Sequence, residues 1–195
     1  MDEPELLIDL LEHIGLLLRT ERRRQSATHR LSEVHLAILD YLAHCNRFSN
    51  TPLAVSTYLG ITKGTISQSI KLLESKGLIK KETDKDDRRV IHLSLTRKGS
   101  AITRSRPAAN WRKALQRLDN DDLRHATQVL RQLLDQLQKE NGYKTFMQCR
   151  SCRHLLANEA GAYRCGLTQQ PLKPRDLGKI CVEHEPGSPG AAESG

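Results

Sequence analysis

"LAVSTYLGITKGTISQSIKLLESKGLIKKETDKDDRRVIHLSLTRKG", residues 53–99, carries the punctuation that decides the fold. Pro52, just ahead of it, suits the first turn of a short helix over 52–59, because its φ is already helical and its missing N–H is not needed there. Gly60 ends that helix. Thr62 then caps a second one, TKGTISQSIKLLESK, with Ile66, Ile70 and Leu73 on one face, Lys63, Thr65, Gln68 and Lys71 on the other, and Gly77 as the stop. LIKKETDKDDRRVIHLSLT follows as two strand-like runs about a charged loop. Val90, His92 and Ser94 alternate with Ile91, Leu93 and Leu95, a period of two that predicts a hairpin with one buried face.

Helices are expected on both sides of this stretch. Ser32 caps one over about 32–46 with Val34, Ile38, Leu39 and Leu42 facing inward. An N-terminal helix over about 4–24, with Pro4 in its first turn, carries Leu7, Leu10, Leu11, Ile14, Leu17 and Leu18 at helical spacing. Downstream, helices are expected over about 97–118 and 121–140; Leu123, Leu130, Leu133, Leu134 and Leu137 stripe the second, and Asn141 and Gly142 end it. With 37% apolar residues and only 4% aromatic, the core is a modest aliphatic one.

The chain of 195 residues carries a formal charge of +8, and the excess is regional. Residues 62–113 hold 14 Lys/Arg against 5 Asp/Glu, and the rest is close to neutral. One basic patch laid over helix, turn, helix and hairpin suits a polyanion, most simply duplex DNA, whose phosphates release counterions when neutralised. The bland alternative is a solvated basic face. The expected fold class is mainly α, an α+β winged helix-turn-helix: the second helix of the pair fits the major groove and the hairpin loop reaches a neighbouring phosphate run.

Residues about 5–140 resemble the MarR family of transcriptional regulators, on the strength of "LAVSTYLGITKGTISQSIKLLESKGLIKK" followed by "DDRRVIHLSLTRKG". Asp87, Arg88 and Arg89 with Leu93, Leu95, Thr96 and Gly99 are the most specific part. The resemblance implies a homodimer whose first and last helices form a dimerising platform, binding a pseudo-palindromic operator, often as a repressor, and often released by a small-molecule effector or by oxidation. By that likeness Lys63, Thr65, Ser67, Gln68 and Lys71 face bases and phosphates, and Arg88 and Arg89 hold or insert the wing with Asp87 bracing it. Lys85 at the loop tip is the other candidate for insertion; surface ion pairs with Asp84, Asp86 and Asp87 are the bland reading of the arginines. Tyr41, Trp111 and His35 read as core or surface residues. The expected division is 1–142 for the winged-helix domain (DNA-binding core 29–99, dimer helices 4–24 and 97–140), 143–185 for an added segment, and 186–195 for a disordered end.

That added segment departs from the family. Cys149 and Cys152 stand two residues apart, Cys165 follows after twelve and Cys181 after fifteen. Two intervening residues let both thiolates turn toward one metal, and so few aliphatics would hardly fold without such a staple. A single four-cysteine centre is expected, a [4Fe-4S] cluster ahead of Zn2+, because structural zinc usually takes two such close pairs and only one is present. His154 and His184 read as exposed neighbours, and Cys45 as a small buried hydrophobe.

The N-terminus, MDEPELLIDLLEHIGLLLRTERRR, puts acids ahead of its apolar run and breaks that run with Asp9, Glu12 and His13, unlike an export signal or a membrane span. A cytoplasmic, reducing setting follows as the expectation, which favours metal or redox chemistry over disulfides. No phosphate loop, zincin helix, nucleophile elbow or dinucleotide fingerprint is present, so an enzyme is not expected. The expected function is a DNA-binding regulator tuned by its cysteine centre. Two alternatives are a regulator with purely structural zinc that senses a small ligand, and an electron-transfer or metal-dependent enzyme on a winged-helix scaffold.

Overall fold

The computed structural model describes residues 2–104, 108–140, 142, 146–158 and 161–187. Helix α1 spans Glu3–His29, and its start is fixed by a reciprocal cap: Asp2 accepts from the Glu5 amide at 2.9 Å and Glu5 accepts from the Asp2 amide at 3.3 Å. It runs five residues beyond the expected end, to a left-handed Arg30 whose amide caps the last turn. Helices α2 (Glu33–His44), α3 (Pro52–Leu59) and α4 (Lys63–Ser75) follow with Ser32, Thr51 and Thr62 as their caps. Gly60 and Gly77 take φ +64° and +67° after α3 and α4, a backbone state that costs glycine no Cβ clash.

Strands β1 (Ile79–Thr83) and β2 (Ile91–Leu95) pair antiparallel, from Ile79 opposite Leu95 to Thr83 opposite Ile91. The expected alternation holds at its centre, where Leu93 is fully buried. Ile38, Leu39, Tyr41, Val55, Ile66, Ile70, Leu73, Ile79 and Leu93 make the core, each large side chain contributing about 1.5–3 kcal/mol by leaving water. Gly99 closes against it: a Cβ there would collide with the Leu78 carbonyl oxygen.

The single helix expected over 97–118 is described as two, α5 (Arg97–Arg104) and α6 (Ala108–Leu115), and α7 spans Asn120–Glu140. Pro107, which has no amide hydrogen to give a helix, falls between α5 and α6 and outside the described residues. No described residue of α1 or α7 is buried, and their leucine stripes lie open: Leu10 is 52%, Leu17 60% and Leu137 50% exposed. Among the described residues no helix is long and apolar enough to cross a membrane.

Beyond α7 the chain folds into short sheets. Strand β3 (Met147–Gln148) pairs with β7 (Ile180–Cys181), while β4 (Leu155–Ala157), β5 (Tyr163–Cys165) and β6 (Pro171–Leu172) form a meander. Pro186 and Gly187, expected in the disordered end, are held in place. Pro186 bridges Cys152 and the Gly187 amide donates to Ser151 O at 3.0 Å, because the 151–153 edge offers free backbone groups; 188–195 lie outside the described residues.

Candidate nucleic-acid interface and cysteine centre

Helix α4 buries Ile66, Ser69, Ile70 and Leu73, which turns Lys63, Thr65, Ser67, Gln68 and Lys71 outward together. The Thr65 hydroxyl is engaged locally, 3.0 Å from that of Thr62. Beside α4, the loop between β1 and β2 exposes Lys85, Arg88 and Arg89. That loop is built on two aspartates. Asp84 Oδ1 accepts from the Asp86 and Asp87 amides, both at 2.8 Å, and Asp84 Oδ2 lies 3.0 Å from His92 Nε2. These bonds, the Asp87 amide first, hold the Asp84 carboxyl below its ordinary range. Asp87 Oδ1 takes the Arg89 amide at 3.0 Å and Nε at 3.1 Å, which likewise lowers the Asp87 carboxyl. Both readings of Arg89 are therefore present in one geometry, since it pairs with Asp87 while its side chain stays 92% exposed.

The four tail cysteines, spread over 33 positions, line one small cavity of about 30 Å³, partly open to solvent, with Asn46, Phe48, His154, Leu155, Leu167 and Leu172. Each thiol arrives on a defined element. Cys149 opens a single 3-10 turn whose Cys152 amide donates back to Cys149 O at 3.1 Å, so the two-residue spacing becomes a tight knuckle. Cys165 ends β5, and Cys181, at the end of β7, comes beside Cys149 through the β3–β7 pairing. Gly166 lets the chain pass close under His154 O, to which its amide donates at 2.7 Å. All are free thiols. Among the described residues no group of three or more His, Cys, Asp or Glu side chains is drawn tightly enough to hold a single ion as it stands.

Polar groups face these sulfurs. Asn46 Nδ2 donates to Cys149 Sγ at 3.4 Å. The Cys181 thiol is pushed toward its anionic form, first by the hydrogen bond from Cys149, then by Asn46, the Glu183 amide and Ser49. His184, expected to be exposed, is buried with Nε2 3.1 Å from Ser151 Oγ, and desolvation lowers its pKa; His154 Nε2 pairs with Glu185 Oε1 at 3.3 Å. Neither histidine's position was legible from its neighbours in the chain. Cys45 is a buried core thiol as expected, pushed up to about 12 by burial.

The segment is not hung on α7 alone. It is seated on the turn between α2 and α3: the Asn46 amide donates to Ile180 O at 2.9 Å, the Val182 amide to Ser49 Oγ at 3.1 Å, Lys179 Nζ to Ala43 O at 2.7 Å and Arg47 Nη2 to Pro171 O at 2.6 Å. Asn46 and Ser49 are the functional candidates that sequence reasoning missed. They sit more than 100 positions from the cysteines they face, in a stretch with no motif.

Comparison with known proteins agrees with the fold. A family model described as transcriptional regulator SarA/Rot matches residues 25–105. The transcriptional repressor MprA of Escherichia coli K12 is 28% identical over 142 residues, 69% of this chain and 80% of that protein. FabT of Streptococcus pneumoniae, solved in complex with DNA, is 26% identical with a TM-score of 0.54, over 71% of this chain and 99% of FabT. A MepR mutant from an S. aureus clinical isolate, at 20% identity, superposes with a TM-score of 0.58 over 68% of this chain and 97% of MepR. MprA and the matching family model are named as transcriptional regulators, which speaks against the enzyme alternative. The chain thus has a winged helix-turn-helix fold and is similar in sequence to the transcriptional repressor MprA and, over residues 25–105, to the SarA/Rot regulators.

Proposed function

We propose that the chain is a homodimeric repressor that reads a pseudo-palindromic operator with α4 and the wing loop, and that Cys149, Cys152, Cys165 and Cys181 hold one inorganic centre that tunes its DNA affinity. The observation that carries the DNA reading is the outward row Lys63, Thr65, Ser67, Gln68 and Lys71 beside a braced loop presenting Lys85, Arg88 and Arg89. The named DNA complex of FabT supports it. Dimerisation rests on the open leucine stripes of α1 and α7, far more apolar surface than a lone soluble domain ordinarily leaves in water.

The centre is supported by the convergence of four thiols on one largely apolar cavity, with Asn46 and Ser49 aimed at the sulfurs. A [4Fe-4S] cluster is the preferred occupant because structural zinc usually takes two close cysteine pairs and only Cys149–Cys152 is such a pair, with Zn2+ as the alternative. Bound there, an iron–sulfur group would supply sensitivity to oxidant or iron supply, and zinc a closed structural staple.

The test is salt-dependent binding to duplexes selected from a random pool. Arg89→Ala should weaken binding and lower the salt slope by about one unit; equal affinity of wild type, Arg88→Ala and Arg89→Ala removes the wing assignment. Metal analysis and the visible spectrum of anaerobically purified protein test the centre. A double Cys165→Ser, Cys181→Ser protein that holds as much metal as the wild type removes it.

A further inference from the structure

The cysteine centre and the wing lie at opposite ends of one run of hydrogen bonds. At the centre, Asn46 donates to Cys149 Sγ at 3.4 Å, and the amide of Val182, next to Cys181, donates to Ser49 Oγ at 3.1 Å. The Ser49 amide donates to Asn46 O at 3.2 Å, so the two residues move as one turn. Asn50 comes next in the chain and is locked to β2 on both sides of its peptide: its carbonyl accepts from the Leu93 amide at 2.7 Å and its Nδ2 donates to Leu93 O at 3.1 Å. The remaining Asn50 atom, Oδ1, meets His92 Nδ1 at 2.6 Å, and His92 Nε2 meets Asp84 Oδ2 at 3.0 Å. The His92 ring thus bridges Asn50 to Asp84, one nitrogen to each. Asp84 then holds the Asp86 and Asp87 amides, and Asp87 holds Arg89.

We propose that the state of the cysteine centre is passed to the wing within one protomer, through Asn46 and Ser49 to Asn50, His92 and Asp84, so that filling the centre holds the wing loop in its DNA-binding posture. The proposal rests on the reading that the four cysteines hold an inorganic centre. The physical source of the difference is the anchoring of the sulfurs: thiolates bound to an inorganic group are fixed, strong acceptors, which holds Asn46 on Cys149 Sγ, whereas a released sulfur is free to turn away. The turn 46–50 then loses the groups that orient it, and Asn50 can no longer hold His92 and Asp84 in one geometry. Only such a difference between two states shifts an equilibrium. On the route from the segment through α7 to the dimer platform, expected from the sequence, Arg131 Nη2 donates to Gln148 Oε1 at 3.3 Å.

The experiment compares metal-loaded protein with the same protein stripped by a chelator. It reads amide hydrogen exchange of residues 84–90 and affinity for a duplex selected from a random pool. Expected in the wild type are faster exchange on stripping and binding weakened by at least about fivefold. His92→Phe and Asn50→Ala, which touch no cysteine, should hold as much metal as the wild type while the loaded and stripped forms differ by less than about twofold. Asp84→Ala, in a partly exposed loop, serves if either variant fails to fold. Retention of the wild-type ratio by the variants overturns the route. Equal exchange in loaded and stripped wild type overturns the coupling while leaving the centre intact, and a wild type that binds no metal removes the centre itself.

Discussion

Asn46 and Cys149 stand 103 positions apart in the chain, yet the side-chain amide of one donates to the sulfur of the other at 3.4 Å. The same Asn46 accepts from the Phe48 amide through Oδ1 at 3.0 Å, so one buried side chain shapes the α2–α3 turn and seats the cysteine segment on it. Asn46→Ala strips partners from buried groups on both sides. A loss of about 1–3 kcal/mol in unfolding free energy is expected, measured by denaturant titration. An unchanged midpoint would mean that the segment does not rest on this residue.

Gln68 is exposed on α4, between buried Ile66 and Ser69, and lies outside the core. Replacing it with Ala should leave thermal stability alone and change sequence preference by about 1–3 kcal/mol at one base pair, if it makes a paired contact to a base edge. Selection experiments on the two proteins decide this: identical preferred sequences mean that Gln68 reads no base.

Leu17 separates monomer from dimer with one substitution. In an isolated protomer it is 60% exposed, so Leu17→Asp would be nearly neutral. In a dimer built on α1 and α7 the same change buries a carboxylate without a partner. Sedimentation should then show dissociation, and DNA binding should fall with it.

Helix α2 has a cap that responds to acid. His35 occupies the third helical position, where its Nδ1 accepts from the Ser32 amide at 3.1 Å and its own amide donates to Ser32 Oγ at 3.3 Å. Burial, then the charge on Lys76, lowers the His35 pKa, so the unfolded chain takes the proton first. Its contribution is fully present above the unfolded value of about 6.5 and is lost as pH falls through the lowered folded value. His35→Gln keeps an acceptor at the same position, and the slope of stability against pH should flatten below about pH 6.5. Thermal melts at a series of pH values read it; an unchanged slope would assign the acid response to another histidine, of which buried His184 is the nearest in kind.

The local rules were legible in the sequence because they act over a few residues. Ser32 and Thr62 cap, Pro52 starts a helix, Gly60 and Gly77 turn, and the alternation from Val90 to Leu95 sets which face of the hairpin is buried; each is a matter of one residue's dihedrals or a short period. The outward row on α4 was readable for the same reason, since a helix period fixes which residues share a face. The spacing of Cys149, Cys152, Cys165 and Cys181 likewise named a set of thiols in advance. What spacing cannot contain is the surface on which that set is seated. The choice of the α2–α3 turn over α7, the burial of His184 and the pairing of Asn46 and Ser49 with the sulfurs were decided by tertiary structure. A hydrogen bond between residues more than 100 positions apart depends on the docking of whole elements, and neither partner's neighbours in the chain carry any trace of it.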